Sequence, residues 1–389
     1  MSRSVPSLED HLQPLEDVIR RDLLPSLTGR AVSDLERNLL SLPARLGGMA
    51  MGNPVQKARP HYDQASAVIA PLVRHICGEV GDEFPFFDAL ALQDKELVEG
   101  RKSKADALQR KANVIFSQLD TRSQRAMSLA QEKGASIWLT AIPIDEHAFA
   151  LSRGDFRDAI CLRYGWKPLH MPSHCSDGEP FTVEHALSCS RGGYVSLRHN
   201  EVRDLLTDLL SESSCHNVTA EPHLQPLCGE QLRSSGAITS DEARLDIQAG
   251  GFWGHRHEIA FFDVRVFNPH ANSYHAQSLA QLYRKHESEK RRQYGKRVRE
   301  IERGSFTPLV FSATGGAGPA ASVFLRLDEL IGDRHEMTYS QSMAWLRCRL
   351  SFALLRSAIL CIRGARRRKP GFRREEPPAA VVSSSAAER

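Results

Sequence analysis

Two aspartates interrupt neighbouring apolar segments of this chain, in the stretch ARLDIQAGGFWGHRHEIAFFDVRVFNP from Ala243 to Pro269. The stretch predicts two strands, 243–249 and 258–267, joined by a turn that is rich in glycine and histidine. Aspartate is a poor strand former, so Asp246 and Asp263 each need a particular reason to stand there. Carboxylates on adjacent strands can bind one divalent cation together. The stretch therefore predicts a metal site carried by a sheet.

The composition is that of a soluble globular protein. Of the 389 residues, 41% are apolar and 25% are charged, which is ordinary for this class. The eight cysteines are scattered, without the density of a disulfide scaffold, and the charged N-terminus lacks the apolar centre of a signal peptide. The nearest approach to a membrane span, Met343–Ile362, is interrupted by Arg347, Arg349 and Arg356. We therefore expect a reducing, intracellular location, the nucleus in particular, and no membrane partner.

The first half of the chain predicts helices. Residues 1–60 suggest helices that end in the turn-rich connector LLSLPARLGGMAMGNP. Residues 61–166 form a predicted helical domain, with apolar residues at helical spacing and a capped helix start at Ser152. Nothing in this half names a ligand, so one interpretation of the protein is a helical scaffold.

Cysteine and histidine are concentrated in the segment 170–200. Cys175, His185, Cys189 and His199 fall within 25 residues and are separated by glycine turns. A tetrahedral zinc site needs four such ligands on compact loops, and the i, i+4 spacing of the middle two places them on one helical face. The spacing matches no standard zinc finger. The alternative is a set of buried cysteines with one capping and two surface histidines.

The second half of the chain predicts a helix, three strands, a basic helix, a strand and a closing helix. This αβββαβ order is the core order of restriction endonuclease-like PD-(D/E)xK nucleases, and it brings the ends of the two acidic strands together. The expected fold class is mixed α+β, with a helical N-terminal half before this core. The predicted elements are 201–210, 215–222, 243–249, 258–267, 278–302, 306–313 and 339–363; the nuclease-like domain is 198–363, and a disordered tail, basic and then rich in Pro, Ala and Ser, is 364–389.

Metal-dependent hydrolysis of a phosphodiester requires carboxylates that hold a divalent cation. Bound Mg²⁺ polarises the phosphate and lowers the pKa of the attacking water. Asp246 and Asp263 are the candidate Mg²⁺ ligands. Glu201, on the preceding helix, is a candidate third acid, and Glu258 is an alternative to it.

The chemistry also needs a positive charge close to the carboxylates. The residue two positions after Asp263 is Arg265, which stabilises charge but essentially does not deprotonate. We therefore expect a lysine to reach in from the basic helix, with Lys290 and Lys285 as the candidates. The alternative interpretation is that the two aspartates form only structural ion pairs with Arg244 and Arg265.

The helix 278–302 is strongly basic and predicts contact with nucleic acid. Nine Arg or Lys and four Glu lie between Arg284 and Arg303. Such residues neutralise phosphates, so we expect salt-dependent, sequence-tolerant binding of DNA, with RNA as a second candidate. Intrahelical pairs with Glu are the alternative, and the Arg-rich tail also fits a nuclear-localisation signal. The candidate contacts are Arg284, Lys285, Lys290, Arg291, Arg292, Lys296 and Arg297.

Several blocks of the chain resemble the part of non-LTR retrotransposon polyproteins that follows the reverse transcriptase. These are FTVEHALSCSRGGYVSLRHNEVRD, ARLDI and FFDVRVFNP, and LSLPARLGGMAMGNP is similar to the segment just after the polymerase of such elements. The resemblance covers roughly residues 40–365. No YxDD-type polymerase sequence occurs, so we expect a C-terminal fragment or a domesticated remnant.

The resemblance implies a Cys/His zinc knuckle followed by a restriction-like endonuclease that nicks target DNA. It implies zinc and magnesium as cofactors, and nicking that serves reverse transcription in a complete element. The corresponding knuckle residues are Cys175, His185, Cys189 and, as the fourth, His199; the corresponding nuclease acids are Asp246 and Asp263.

The chain departs from this family pattern at two places. Cys175 stands alone where the knuckle has a close cysteine pair, which leaves Asp177, His174 or His199 to complete the ligand set. The first nuclease acid lacks its preceding proline, and Arg265 replaces the motif lysine. A nucleic-acid-binding module that lacks catalysis is therefore the alternative function.

Overall fold

Helices make up most of the chain, and a four-stranded sheet lies in its second half. The computed structural model describes residues 4–77, 86–227, 244–274, 276–335 and 338–364. The helices before the sheet are α1 (Glu9–Val18), α2 (Leu24–Thr28), α3 (Asp34–Ser41), α4 (Pro54–Ile76), α5 (Phe86–Gln118), α6 (Thr121–Ala130), α7 (Ile137–Thr140), α8 (Arg153–Tyr164), α9 (Val183–Ala186) and α10 (Tyr194–Glu212). The elements that follow are β1 (His216–Ala220), β2 (Ile247–Gly250), β3 (Ile259–Phe267), α11 (Leu279–Arg297), β4 (Ser305–Ser312), α12 (Ser322–His335) and α13 (Tyr339–Arg363).

Polar side chains fix the starts of several helices. The Asn53 side chain accepts a hydrogen bond from the Gln56 N–H at 3.0 Å at the start of α4. Ser152 does the same for the Asp155 N–H at 3.1 Å at the start of α8. These contacts satisfy N–H groups that the first turn of a helix leaves without a partner. The helix start predicted at Ser152 is confirmed.

The sheet has the strand order β1-β2-β3-β4. The first two pairs are antiparallel, and β3 and β4 are parallel. Parallel neighbours need a crossover connection, and α11 supplies it. The mixed α+β class predicted from the sequence is confirmed.

The acidic strands differ slightly from their predicted bounds. β3 matches the prediction within one residue, whereas β2 begins at Ile247 instead of residue 243. Asp246 therefore lies immediately before its strand and not within it. This agrees with the low strand propensity of aspartate.

Gly304 follows the basic helix in the sequence and predicts a left-handed glycine at its C-terminal end, which the structure corrects. α11 ends at Arg297 and is followed by a π-helical turn, Val298–Glu302. Arg303, and not Gly304, adopts the left-handed conformation, with φ of 57°. Gly304 is needed for a different reason, because a Cβ there would lie 2.4 Å from the carbonyl oxygen of Ile259.

The two largest hydrophobic cores of the described residues both include side chains of α13. The first joins the N-terminal helices to α13 through residues such as Leu40, Ile160 and Phe352. The second lies against the sheet and includes Phe262 and Leu354. Different faces of α13 thus pack on different cores, as the 3.6-residue period allows.

The sequence analysis also made predictions about a membrane span and about the C-terminal tail. Within the described ranges, no helix is both long enough and apolar enough to cross a lipid bilayer. Apart from Gly364, the predicted tail 364–389 lies outside the described residues, as does Cys228.

Candidate metal centres

Asp246 and Asp263 lie close together in the protein interior, and each is only 1% exposed. The first residue of β2, Ile247, pairs with Phe262 of β3. Asp246 precedes this pair on one side, and Val264 follows it on the other. The Asp246 carboxylate accepts a hydrogen bond from the Val264 N–H at 2.6 Å. This contact holds the Asp246 carboxylate beside Val264, the residue that follows Asp263.

Lys290 on α11 reaches the second carboxylate. Its ammonium group lies 2.9 Å from Oδ2 of Asp263 and donates a hydrogen bond to Oδ1 at 3.1 Å. The same ammonium lies 5.5 Å from the centre of the Tyr294 ring, within cation–π range. One of the two predicted lysines is therefore at the carboxylates.

Burial dominates the electrostatics of the pair. Burial is the largest cause, and with the negative charge of Asp246 it raises the pKa of Asp263 to a net value of about 6, although Lys290 and His199 lower it. The positive charge close to the carboxylates therefore does not offset the cost of removing Asp263 from water. A site with this imbalance favours an additional cation.

His199 belongs to this centre and not to the cysteine-containing segment, which corrects its prediction as a zinc ligand. It lies on α10, and its Nε2 atom is 3.1 Å from Oδ1 of Asp246. The sequence prediction grouped it with Cys189 because they are ten positions apart along the chain. The informative signal was helical spacing, since His199, Val202 and Leu206 lie on one face and the last two are buried in the core of the sheet.

Three other predicted residues are not part of the carboxylate centre. Glu201 is exposed, because it lies two positions after His199 and two positions rotate a helix by about 200°. Glu258 precedes β3, five positions from Asp263, or about 17 Å along an extended strand. Lys285 is exposed on the outer side of α11.

Arg244 and Arg265, the arginines proposed as structural partners of the two aspartates, lie close to glutamates. Arg265 lies 3.4 Å from Glu289 on α11, whereas Asp263 is paired with a lysine. Arg244 lies 3.3 Å from Glu221. The proposed structural pair between Arg265 and Asp263 is therefore not observed.

A second group of metal-binding side chains is formed by Cys175, Asp177, His185 and Cys189. One potential ligand atom from each lies within 4.8 Å of all the others. The two sulfur atoms are 3.7 Å apart, Cys189 Sγ is 3.6 Å from Oδ2 of Asp177, and His185 Nε2 is 3.4 Å from the same oxygen. The group can bind a metal ion. The sequence left Asp177, His174 and His199 as candidates for the fourth ligand, and the structure places Asp177 in the group.

Local backbone geometry explains how residues 14 positions apart converge. Gly178 has φ of 90°, which favours glycine, and it turns the chain directly after Asp177. Thr182 caps the short α9 by accepting a hydrogen bond from the His185 N–H at 3.1 Å. The N–H of Cys189 then bonds the carbonyl of His185 at 2.8 Å, as the predicted i, i+4 spacing requires.

The cysteine-containing segment is attached to the end of β3. Buried Arg198 donates hydrogen bonds to the carbonyls of Leu187 at 3.1 Å and Val266 at 3.2 Å. Asn268 donates to the Glu184 carbonyl at 2.9 Å. The two candidate centres are thus connected by one strand and by α10, where Arg198 and His199 are neighbours.

The outer face of α11 carries most of the predicted nucleic-acid contacts. Lys290 faces the carboxylates, and Arg297 donates a hydrogen bond to the Gln225 carbonyl at 2.6 Å. Weak intrahelical pairs join Arg291 to Glu287 at 3.8 Å and Lys296 to Glu300 at 4.0 Å. The exposed candidates are Arg284, Lys285, Arg291, Arg292 and Lys296.

A scan against protein families and a search of curated proteins found no match to this chain.

Proposed function

We propose that this protein is a metal-dependent nuclease that hydrolyses DNA phosphodiesters. The observation that carries the proposal is the buried pair Asp246 and Asp263, flanked by Lys290 from one helix and His199 from another. Two buried carboxylates this close destabilise a fold unless a cation compensates them. Such an arrangement is expected where a metal ion is used for chemistry.

The carboxylate pair fits a hard divalent cation. Oδ2 of Asp263 is buried and, among the described residues, accepts no hydrogen bond of good geometry. Carboxylate oxygens are the ligands that Mg²⁺ prefers, so Asp246 and Asp263 are the residues that would hold it. When bound, Mg²⁺ polarises the scissile phosphate and lowers the pKa of the attacking water.

The surrounding side chains have separate tasks in this proposal. Lys290 supplies positive charge beside Asp263, where it can hold a phosphate oxygen and stabilise charge that develops in the reaction. His199 and the Val264 N–H fix the orientation of Asp246 through its two oxygens. Arg265 adds charge from the same side of β3. The exposed cations of α11 would hold the DNA backbone on either side of the site.

The cysteine group fits zinc in particular. Zinc–ligand distances of about 2.3 Å for sulfur and 2.0 Å for oxygen or nitrogen, in a tetrahedron, imply separations of about 3.8 Å for S–S, 3.5 Å for S–O and 3.3 Å for N–O. The corresponding distances are 3.7, 3.6 and 3.4 Å. His185 Nε2 is buried and has no hydrogen-bond partner in the described part of the chain. We assign Cys175, Asp177, His185 and Cys189 as zinc ligands.

The origin of the protein follows as part of the same proposal. A Cys/His metal group attached to a sheet with two acidic residues is the arrangement that the resemblance to non-LTR retrotransposon proteins implies. We infer that the chain derives from such an element and acts on DNA in the nucleus.

The direct test is nicking of supercoiled plasmid with Mg²⁺ or Mn²⁺. Asp246→Ala and Asp263→Ala should each reduce nicking by about 1000-fold, because each removes a metal ligand. Glu201→Ala is the matched control, since this exposed acid lies on the other side of α10, and it should retain activity. Equal nicking by the wild type and Asp263→Ala would refute the proposal.

A non-catalytic DNA-binding module is the second candidate function. The observation in its favour is that Lys290 already neutralises part of the Asp263 charge while Arg265 occupies the position of the motif lysine. This candidate predicts DNA binding with a steep salt dependence and no nicking in either metal. Binding that is retained in Asp263→Ala without any wild-type nicking would favour it.

A further inference from the structure

A cavity lies between α4 and α5 in the N-terminal half, far in sequence from both metal centres. Its volume is about 470 Å³, within the range of small-ligand sites. The end of α3 closes one side through Ser41. The residues that matter for its chemistry are Lys57, Lys104 and Lys111 at one end, Gln64 and Ser103 on the walls, and Glu96.

Three lysines converge on this cavity without acidic partners. Among the described residues, no carboxylate lies within ion-pair distance of Lys57, Lys104 or Lys111. Burial lowers the pKa of Lys57, and the charges of Lys104 and Arg37 lower it further. Burial likewise lowers the pKa of Lys111, followed by Arg37 and Lys57. The cluster is therefore short of negative charge.

The hydrogen bonds of Lys111 are to neutral groups. Lys111 donates hydrogen bonds to the Ser41 hydroxyl at 3.2 Å and to the Gln56 side-chain oxygen at 3.1 Å. Arg37, whose charge adds to the crowding, is itself paired with Glu16 through two hydrogen bonds of 2.7 and 2.6 Å. Lys111 is thus oriented by neutral groups that do not neutralise its charge.

The start of α4 adds to the positive potential. Asn53, which caps this 23-residue helix, and Lys57 in the following turn both line the cavity. Helix N-termini carry a partial positive charge that favours anions. The helix end and the lysine cluster therefore point to the same class of ligand.

The opposite end of the cavity is different. Glu96 lies eight positions before Lys104 on α5, which is about 12 Å along a helix. Gln64 and Ser103 lie between the two ends. A ligand that fits this polarity carries a phosphate at the lysine end and hydrogen-bond donors at the other end.

We propose that the α4–α5 cavity is a binding site for the phosphate group of a nucleotide unit, with Lys57, Lys104 and Lys111 as its contacts. The nucleotide is either part of a single strand or free in solution, since both present the same phosphate. The site is independent of the proposed nuclease activity because it contains none of the residues of the metal centres.

The test is equilibrium binding of two probes without added Mg²⁺, so that loss of nicking and loss of this site are distinguishable. A fluorescein-labelled single-stranded DNA oligonucleotide represents the strand, and ATP represents the free nucleotide. Lys111→Gln and Lys57→Gln should each weaken binding of at least one probe by about tenfold, because each loses a charge-assisted contact. Lys102→Gln, an exposed lysine on the same helix outside the cavity, should change it by less than about twofold.

Each outcome has a defined meaning. Weakening for the oligonucleotide supports a strand phosphate, and weakening for ATP alone supports a free nucleotide. If Lys111→Gln and Lys102→Gln lose affinity equally, the effect is one of general surface charge and the proposal is overturned. The proposal is also overturned if the wild type binds neither probe. Thermal unfolding of each variant verifies the fold, and an unchanged or raised Tm is expected for Lys57→Gln because the substitution relieves like-charge repulsion.

Discussion

The carboxylate pair and the cysteine group are connected by α10 and β3, yet their ligands are compensated in different ways. The pair has basic side chains of its own, because Lys290 contacts Asp263 and His199 contacts Asp246. In the cysteine group, the basic side chain that contacts Asp177 is His185, which is itself a candidate ligand. We propose that the first centre keeps its arrangement while metal exchanges, whereas the second depends on a resident ion.

Under the proposed function, this difference would separate a catalytic from a structural role. A metal ion that takes part in hydrolysis needs open coordination positions and a polar surrounding that persists when the ion leaves. A structural ion replaces a hydrophobic core in a small, turn-rich segment. The predictions below test whether the two centres respond to substitution in these opposite ways.

The largest expected effect is at the carboxylate pair. It is the pH dependence of the free energy of unfolding when no divalent metal is bound there. Asp263 has a pKa of about 6 in the folded protein and an ordinary value of 3.8, so the folded state binds the additional proton between these values. Stability should therefore fall as pH rises from about 4 to 6, by roughly 3 kcal/mol in total, and then level off.

Asp263→Asn is the control for this prediction, since it keeps the shape and cannot ionise. Asp246, Lys290 and His199 face the group and remain in the variant. Urea unfolding across the pH range should give a flatter curve for the variant, and saturating Mg²⁺ should flatten that of the wild type. Parallel curves for both proteins would show that the pair is already compensated.

Lys290→Met should reduce nicking by about 100-fold, because it removes positive charge beside the reacting phosphate. Lys285→Met is the matched control on the exposed side of the same helix, and it should lose only about twofold because it removes one of several exposed phosphate contacts. Single-turnover nicking rates measure both. If the two variants lose activity equally, the role of Lys290 is only general attraction for DNA.

Cys189→Ser should release zinc and reduce the free energy of unfolding by roughly 2 kcal/mol, because the segment loses a structural ion. The readouts are metal content by atomic absorption and urea unfolding. Cys215→Ser changes a partly buried cysteine outside the group and should retain zinc. A variant at position 189 that keeps wild-type zinc content would contradict the assigned ligand set.

The smallest effect is expected at His199. His199→Leu should lower nicking by about tenfold, since Asp246 loses one of the two contacts that orient it. His199→Gln retains a side-chain N–H and should restore much of the activity. Zinc content should stay at the wild-type value in both variants; its loss would return His199 to the cysteine group.

The choice between Lys285 and Lys290 shows how much of the carboxylate centre can be predicted from the sequence. The absence of a lysine after Asp263 already indicates that a cation comes from the crossover helix. The choice itself depends on which face of α11 packs on the sheet. The buried aromatic residues Tyr283 and Tyr294 lie seven positions before and four positions after Lys290, so helical spacing could have selected it.

His199 and Asp177 show where sequence reasoning failed or stayed open. Proximity along the chain assigned His199 to the cysteines, but α10 begins at Tyr194 and directs the histidine to the sheet. Asp177 was one of three candidates, and only the turn at Gly178 decides among them. The mixed α+β class and the two acidic segments followed from periodicity and from aspartates among apolar residues, whereas these ligands depend on tertiary packing.

The closing helix α13 has a consequence for how the molecule unfolds. Its Leu354 packs on the core of the sheet, while the neighbouring Leu355 packs on the core of the N-terminal helices. Neither core can lose this helix without exposing apolar surface of the other. Denaturation should therefore proceed as one cooperative transition, with near-ultraviolet signals from Trp138 in one core and Trp345 at their boundary changing together.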